Sequence, residues 1–342
     1  MGKERIISWD YIKTFAIFLV VWGHSMQNLT VDTAYWNTDI CEQFVYSFHM
    51  PLFMMVSGFF SLDLVRKDLW SILSKQFQRL IIPSVVWHLI VGSILFIVAS
   101  VVIRTVEWQA LGTMLYNSLY TFWFLKSLFI IQIIMCILNR EHNCLIIILL
   151  SIVPVSWLDN FSWLSLMPFF IIGLMIKKYY NYFFLHSTKI FIVCALMFSI
   201  FVSIWAHHTF DIYSNPIEWT IPSWIAYVKR VIIGSAGSIM VISASLSLFA
   251  DKQSSNRYLQ NVGTMTLVIY IIQRYLVEHS AIHFKILSPL PKVLHTIVYD
   301  ILLTPAFSIL VIAFSYYVIL QLRKNRYTKL LFLGEKIIYD IR

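Results

Sequence analysis

Ten apolar runs dominate this chain, and they leave it few ways to fold. Their approximate limits are 7–27, 44–63, 80–103, 118–138, 143–157, 162–178, 188–206, 224–250, 262–279 and 296–321. A helix that crosses the hydrocarbon of a bilayer needs roughly 20 predominantly apolar residues, and each long run meets that length. The runs at 143–157 and 162–178 are short, and re-entry is open to them. Of the 342 residues, 59% are hydrophobic and only 13% charged, where a soluble domain carries about 25% charge. One water-soluble core cannot bury so much apolar surface, whereas lipid solvates it directly. The 12 Trp and 18 Tyr suit the membrane–water interface. The predicted fold is therefore an all-α membrane protein of about ten transmembrane helices. With no internal repeat and no low-complexity linker, residues 1–342 read as one domain.

The net charge of +9 does not point to nucleic acid, because basic residues in such a chain first report topology. With the N-terminus inside, 18 Lys and Arg fall in inside segments and 6 in outside segments or outer helix ends. Both termini are thus expected in the cytoplasm. The connections 28–43 and 207–223 carry no Lys or Arg, in agreement. The first run follows a basic start but no small-residue cleavage site, so it is expected to be a retained span and not a removed signal. The four cysteines, Cys41, Cys136, Cys144 and Cys194, lack metal-ligand spacing, and neither a metal site nor a disulfide framework is predicted.

An ionisable residue inside a span costs about 2.5–3.5 kcal/mol on insertion scales. The first run holds three: Asp10, Lys13 and His24. Asp10 and Lys13 are three apart and can pair on one helix face near the inner interface. Lys13 and His24 are eleven apart, close to three turns, so they share a face at a rise of about 16 Å. His24 follows Gly23, which lets a neighbouring helix or a substrate come close. Two readings of His24 stand side by side: an interfacial imidazole bonded to a backbone carbonyl, or a general base titrating near neutrality. The second run opens with His49-Met50-Pro51, with Pro51 suited to a first helical turn. That would put His49 at the outer face, level with His24. Ser57-Gly58 further on is a small pair suited to close helix packing. Lys75 and Arg79, four apart, are either ordinary positive-inside residues or an anchor for the phosphates of a nucleotide-bearing substrate.

These pieces together resemble the membrane-bound acyltransferase-3 family. The resemblance rests on Asp10-Tyr11-Ile12-Lys13 with Trp22-Gly23-His24, on Phe48-His49-Met50-Pro51 with Ser57-Gly58, and on Arg79 to Pro83. It continues through Trp123-Phe124-Leu125, Met167-Pro168-Phe169-Phe170 with Gly173, and Gly263-Thr264-Met265 with Ile269-Tyr270. The set covers roughly residues 5–280 in the family's order. The resemblance implies a ten-helix protein of the cytoplasmic (inner) membrane. Such a protein takes an acyl group, commonly acetyl, from cytoplasmic acyl-CoA and passes it to a hydroxyl of a surface or exported carbohydrate. It implies that His24 is essential, and the His-Met-Pro variant is similar to sugar O-acetylases of the fucose-acetylase kind. Two positions depart from the family pattern: Lys13 stands where Arg is commoner, and Gln273 where His is often found. No role is carried onto Gln273.

The expected partners are acyl-CoA as co-substrate, a carbohydrate acceptor and the bilayer, with no permanently bound cofactor. The expected mechanism holds CoA phosphates at Lys75 and Arg79 and threads the pantetheine arm past Lys13. His24 then acts as base or acyl carrier, with His49 assisting as acid, orienter or oxyanion donor. Asp10, Ser57, Gly58 and Trp123 are supporting residues. Trp22 and Trp123 suit the sugar, the arm or interfacial anchoring. The rival is a transporter or exporter of a small polar substrate or acylated glycan; no inverted repeat or broken-helix pair favours it.

Overall fold

The computed structural model describes residues 7–29, 40–103, 112, 122–137, 165–205, 221–249, 256–278 and 291–335. Among them every regular element is helical. Helix α1 spans Ile7–Leu29 and α2 spans Ile40–Val65. Helix α3, Leu69–Gln76, starts where the Asp68 carboxylate accepts the Ser71 amide at 2.7 Å. It runs through a π-helical turn, Phe77–Ile81, into α4, Ile82–Ile103. Then follow α5 (Trp123–Ile137), α6 (Met167–Lys178), α7 (Tyr180–Leu185), α8 (Ser187–Trp205) and α9 (Ile221–Phe249). The last part comprises α10 (Arg257–Thr264) and α11 (Thr266–Gln273) with a π turn over Arg274–Glu278. After these come α12 (Lys292–His295), a π segment over Thr296–Leu303, α13 (Thr304–Leu322) and α14 (Arg326–Leu333).

Five of these helical stretches are long and apolar enough to cross a membrane: Ile40–Val65, Leu69–Val98, Ser187–Ile204, Ile225–Phe249 and Val293–Leu322. The apolar side chains face two ways. Ile17, Val20, Val21, Leu52, Met54 and Met55 of α1 and α2 are buried in the centre, while Ile94, Ile97 and Val101 of α4 and Ile309, Leu310 and Phe314 of α13 point outward. Apolar side chains on the outside of a helical bundle are what lipid solvates. The predicted run 80–103 is entered earlier than expected, from Leu69 through the π turn. The run 262–279 is interrupted at Met265. The predicted span 143–157, most of the two Lys- and Arg-free connections, and Cys144 lie outside the described residues.

One expectation is corrected. Helix α2 begins at Ile40, so Pro51 is an interior residue and His49 lies well inside the helix, not at its first turn. An apolar run marks the lipid-crossing part of a helix and not its end. Interior proline is tolerated in such helices because packed neighbours compensate for the missing hydrogen bond. Here α9 closes on the proline: an ideal Cβ at Gly234 would stand 2.8 Å from Pro51 Cγ.

Small residues set the packing of the centre. A Cβ added at Gly58 would come 2.1 Å from the Phe170 carbonyl oxygen, and one at Gly173 would come 2.0 Å from that of Met55. The backbones of α2 and α6 therefore touch, as the small pair predicts. Serines tie other helices together: Ser245 donates to the Ser8 carbonyl at 3.2 Å and Ser308 to Ser25 Oγ at 3.1 Å.

The bundle has a basic end. There Trp9 of α1 stacks on Phe59 of α2 at 3.5 Å, and Lys177 of α6 lies over the same Phe59 ring at 4.9 Å. The Asn256 amide donates to Tyr11 Oη at 3.2 Å, bringing the start of α10 to that end. At the far end of α1, Trp22 Nε1 donates to the Asp300 carbonyl at 2.9 Å and to Thr304 Oγ1 at 3.1 Å.

Candidate active site

Three cations from different elements meet at the basic end of α1. Lys13, Lys75 and Arg79 line one cavity of about 260 Å³, together with Ser57, Ser61 and Gln132. The Lys13 ammonium is 3.7 Å from Asp10 Oδ1 and 3.7 Å above the Phe60 ring, so both neighbours hold it in place. Gln132 Nε2 donates to Ser61 Oγ at 2.9 Å, and Ser57 Oγ donates to the Phe53 carbonyl at 2.9 Å. The π turn that carries Arg79 changes the helical register just before α4. Lys75 and Arg79 nevertheless line the same cavity. Cations so placed attract a polyanion such as a diphosphate.

His24 sits three turns further along the same unbroken helix, about 16 Å away by helical rise. Its Nδ1 is 3.6 Å from Oε1 of Glu278, on the π turn after α11. The other oxygen of Glu278 accepts from Arg274 Nη1 at 2.8 Å, and the Arg274 guanidinium lies 5.8 Å from the Phe122 ring centre. At 3.6 Å the imidazole and carboxylate do not hydrogen-bond, and buried His24 Nδ1 has no hydrogen-bond partner. The imidazole bonded to a backbone carbonyl is His49: its Nδ1 is 2.8 Å from the Val45 carbonyl oxygen. A carbonyl only accepts, so this nitrogen carries the proton, and Nε2 of neutral His49 is an acceptor. Tyr46 links the two imidazoles, lying against Gly23, next to His24, and against His49. Tyr46 packs edge-on against His49 at 4.7 Å and donates its hydroxyl to Gln27 Oε1 at 3.0 Å. Gly23 makes room for it, since a Cβ there would stand 3.0 Å from the Tyr46 ring.

The predicted residues thus fall into two groups joined by α1. Lys13, Lys75, Arg79 and Ser57 share the basic cavity, with Asp10 bound to Lys13. His24 and His49 share the other region. Gly58 serves the contact of α2 with α6. Trp123 opens α5 and meets Phe124 edge-on at 6.1 Å, whereas Trp22 anchors α1 to α13. Sequence reasoning singled out neither Glu278 nor Arg274. Their signal was an acid and a base four apart at the end of the run 262–279. Gln273 is wholly buried, and neither atom of its carboxamide has a hydrogen-bond partner. Among the described residues, no group of three His, Cys, Asp or Glu is arranged to hold a metal ion.

Comparison with known proteins gives one family. A family model described as an acyltransferase domain, of the acyltransferase-3 type, matches residues 6–320. The chain is 24% identical over 300 residues to Nodulation protein NolL of Sinorhizobium fredii, covering 80% of this chain and 78% of that protein. It is 29% identical over 147 residues to Nodulation protein NolL of Mesorhizobium japonicum, covering 41% of this chain and 38% of the relative. No solved structure matches the chain.

Proposed function

That the chain belongs to the acyltransferase-3 family, matched over residues 6–320, is the premise from which we propose its reaction. It moves an acetyl group from cytoplasmic acetyl-CoA to a hydroxyl of a cell-surface or exported carbohydrate. The observation that carries this reading is the arrangement along α1. A cavity of three cations lies at one end, and an imidazole backed by a carboxylate lies three turns away on the same helix. A thioester donor has this form, with phosphates at one end and the reactive carbonyl at the end of an extended arm. The basic end faces the cytoplasm, which agrees with the threefold excess of Lys and Arg assigned to inside segments. The protein thereby spans the cytoplasmic membrane with both termini inside.

Lys75 and Arg79 bind the diphosphate, Lys13 holds the arm beside α1, and the thioester carbonyl reaches His24. The neutral imidazole takes the proton of the acceptor hydroxyl as its oxygen attacks the carbonyl carbon. The thioester C–S bond breaks, and the proton passes to the departing thiolate. Glu278 steadies the imidazolium formed in between, and Arg274 fixes Glu278. His49, tied to the Val45 carbonyl through Nδ1, orients the acceptor hydroxyl through Nε2. In this direct transfer His24 is the base and carries no acyl group.

The test uses purified protein in nanodiscs with acetyl-labelled CoA, and mass spectrometry of surface glycans from cells with and without the gene. Transfer lost in His24→Ala, and a glycan lighter by one acetyl in its absence, are the expected results. A correctly inserted His24→Ala protein that still acetylates, or substrate flux without any transfer of label, overturns the reading.

A further inference from the structure

A second pocket, of about 440 Å³, opens at the basic end and shares Arg79 with the cavity of Lys13. Its other charged residues are Arg323 at the end of α13, Lys329 in α14 and Glu335 just beyond α14. Helix α14 is tied to α4 by the Trp87 indole, which donates to the Phe332 carbonyl at 3.0 Å. The chain then turns at Gly334, with φ +63°, where a Cβ would stand 2.6 Å from the Gln78 carbonyl oxygen. Only glycine serves at that position, in both backbone angle and space. The turn delivers Glu335 onto two cations. Its Oε1 accepts from Arg323 Nε at 2.9 Å and from Nη2 of the same guanidinium, and its Oε2 is 3.8 Å from Lys329 Nζ.

We propose that Arg323 and Lys329 form a subsite for a phosphomonoester, the 3′-phosphate on the ribose of the CoA nucleotide, and that this phosphate exchanges with the Glu335 carboxylate. The proposal rests on the acyl-CoA reading above and adds which part of the donor is selected. Three observations carry it. The two pockets meet at Arg79, so a ligand whose diphosphate lies there extends into this one. The floor is apolar, formed by Met265, Val268, Ile319 and Leu333, and suits a purine face. The ion pairs are about one-third exposed, and exposed pairs contribute little. A phosphate with charge near −2 and three acceptor oxygens therefore displaces a single carboxylate. Glu335 is then a specificity device: it holds the cations against monoanions and yields to the dianion.

The experiment compares acetyl-CoA with 3′-dephospho-acetyl-CoA on the full-length protein in nanodiscs of neutral lipid. Wild type is expected to show a KM at least tenfold higher for the dephospho donor at similar kcat. Arg323→Gln and Lys329→Gln should raise the KM for acetyl-CoA more than that for the dephospho donor and so bring the two donors together. Glu335→Gln should lower the KM for acetyl-CoA. Adenosine 3′,5′-bisphosphate should inhibit wild type at least tenfold better than AMP, a measurement that needs no variant to fold. Equal KM values for the two donors in wild type overturn the subsite while leaving acyl-CoA transfer standing. Turnover of neither donor overturns both. Equal KM values for the two donors in neutral lipid, both rising when anionic lipid is added, overturn the nucleotide assignment and make the pocket a lipid-headgroup site.

Discussion

Replacing Glu278 by Gln removes one negative charge beside His24 and changes almost nothing in shape. Two unit charges at the observed 3.6 Å attract by about 4–5 kcal/mol at an effective permittivity of about 20. The Arg274 guanidinium, 2.8 Å from the other carboxylate oxygen, cancels part of that field at His24. Taking roughly half leaves about 2 kcal/mol of support for the imidazolium that forms during transfer. The expected loss in kcat is therefore about 30-fold. The KM for acetyl-CoA should stay within about twofold, because the phosphates are bound in the cavity of Lys13, which lies about 16 Å from His24 by helical rise. The assay is steady-state transfer by purified protein in nanodiscs, normalised to the folded fraction from size-exclusion chromatography after heating. A Glu278→Gln enzyme with wild-type kcat, or one altered only in KM, would refute the assignment of Glu278 to His24. Glu278→Asp, which keeps the charge at a longer distance, should fall between the two.

Gly58→Ala should cost about 3 kcal/mol or more, since its new Cβ meets a backbone carbonyl at 2.1 Å and α2 must leave α6; a markedly lower melting temperature in detergent is the readout, with Gly173→Ala behaving alike. Arg79→Gln should raise the KM for acetyl-CoA about tenfold at nearly constant kcat, measured by the same transfer assay. Gln273→Leu should stabilise the fold by about 1–3 kcal/mol, because it removes a buried carboxamide with no hydrogen-bond partner. A lower melting temperature for that variant would show that the amide is bonded after all.

The sequence was informative where chemistry and position lie on one helix. Lys13 and His24 are eleven apart, and an unbroken α1 makes that spacing a geometric fact. Asp10 pairs with Lys13, as their spacing of three allows. Lys75 and Arg79 were legible too, though not the π turn that lets both line the cavity of Lys13. What stayed hidden depends on contacts between distant segments. Glu278 meets His24 across more than 250 positions, and nothing local to either residue announces the pairing. The start of α2 was misplaced because hydrophobicity marks where lipid begins, while the helix runs on past it to Ile40. The clasp of Glu335 on Arg323 needs the left-handed turn at Gly334, and a lone glycine near a C-terminus has many other uses.

The uninterrupted course of α1 makes this helix a gauge. Between Lys13 and His24 it neither stretches nor bends around a proline or a glycine pair. In the proposed enzyme, a donor gripped by its phosphates in the cavity at Lys13 presents its thioester at His24, whatever acyl group it carries. Selection among thioesters then falls first on the length of the arm and only afterwards on the cargo. A truncated thioester without the nucleotide handle would reach His24 unregistered. In the proposed reaction the nucleotide stays at its own side of the bilayer, and only the acyl group is handed across.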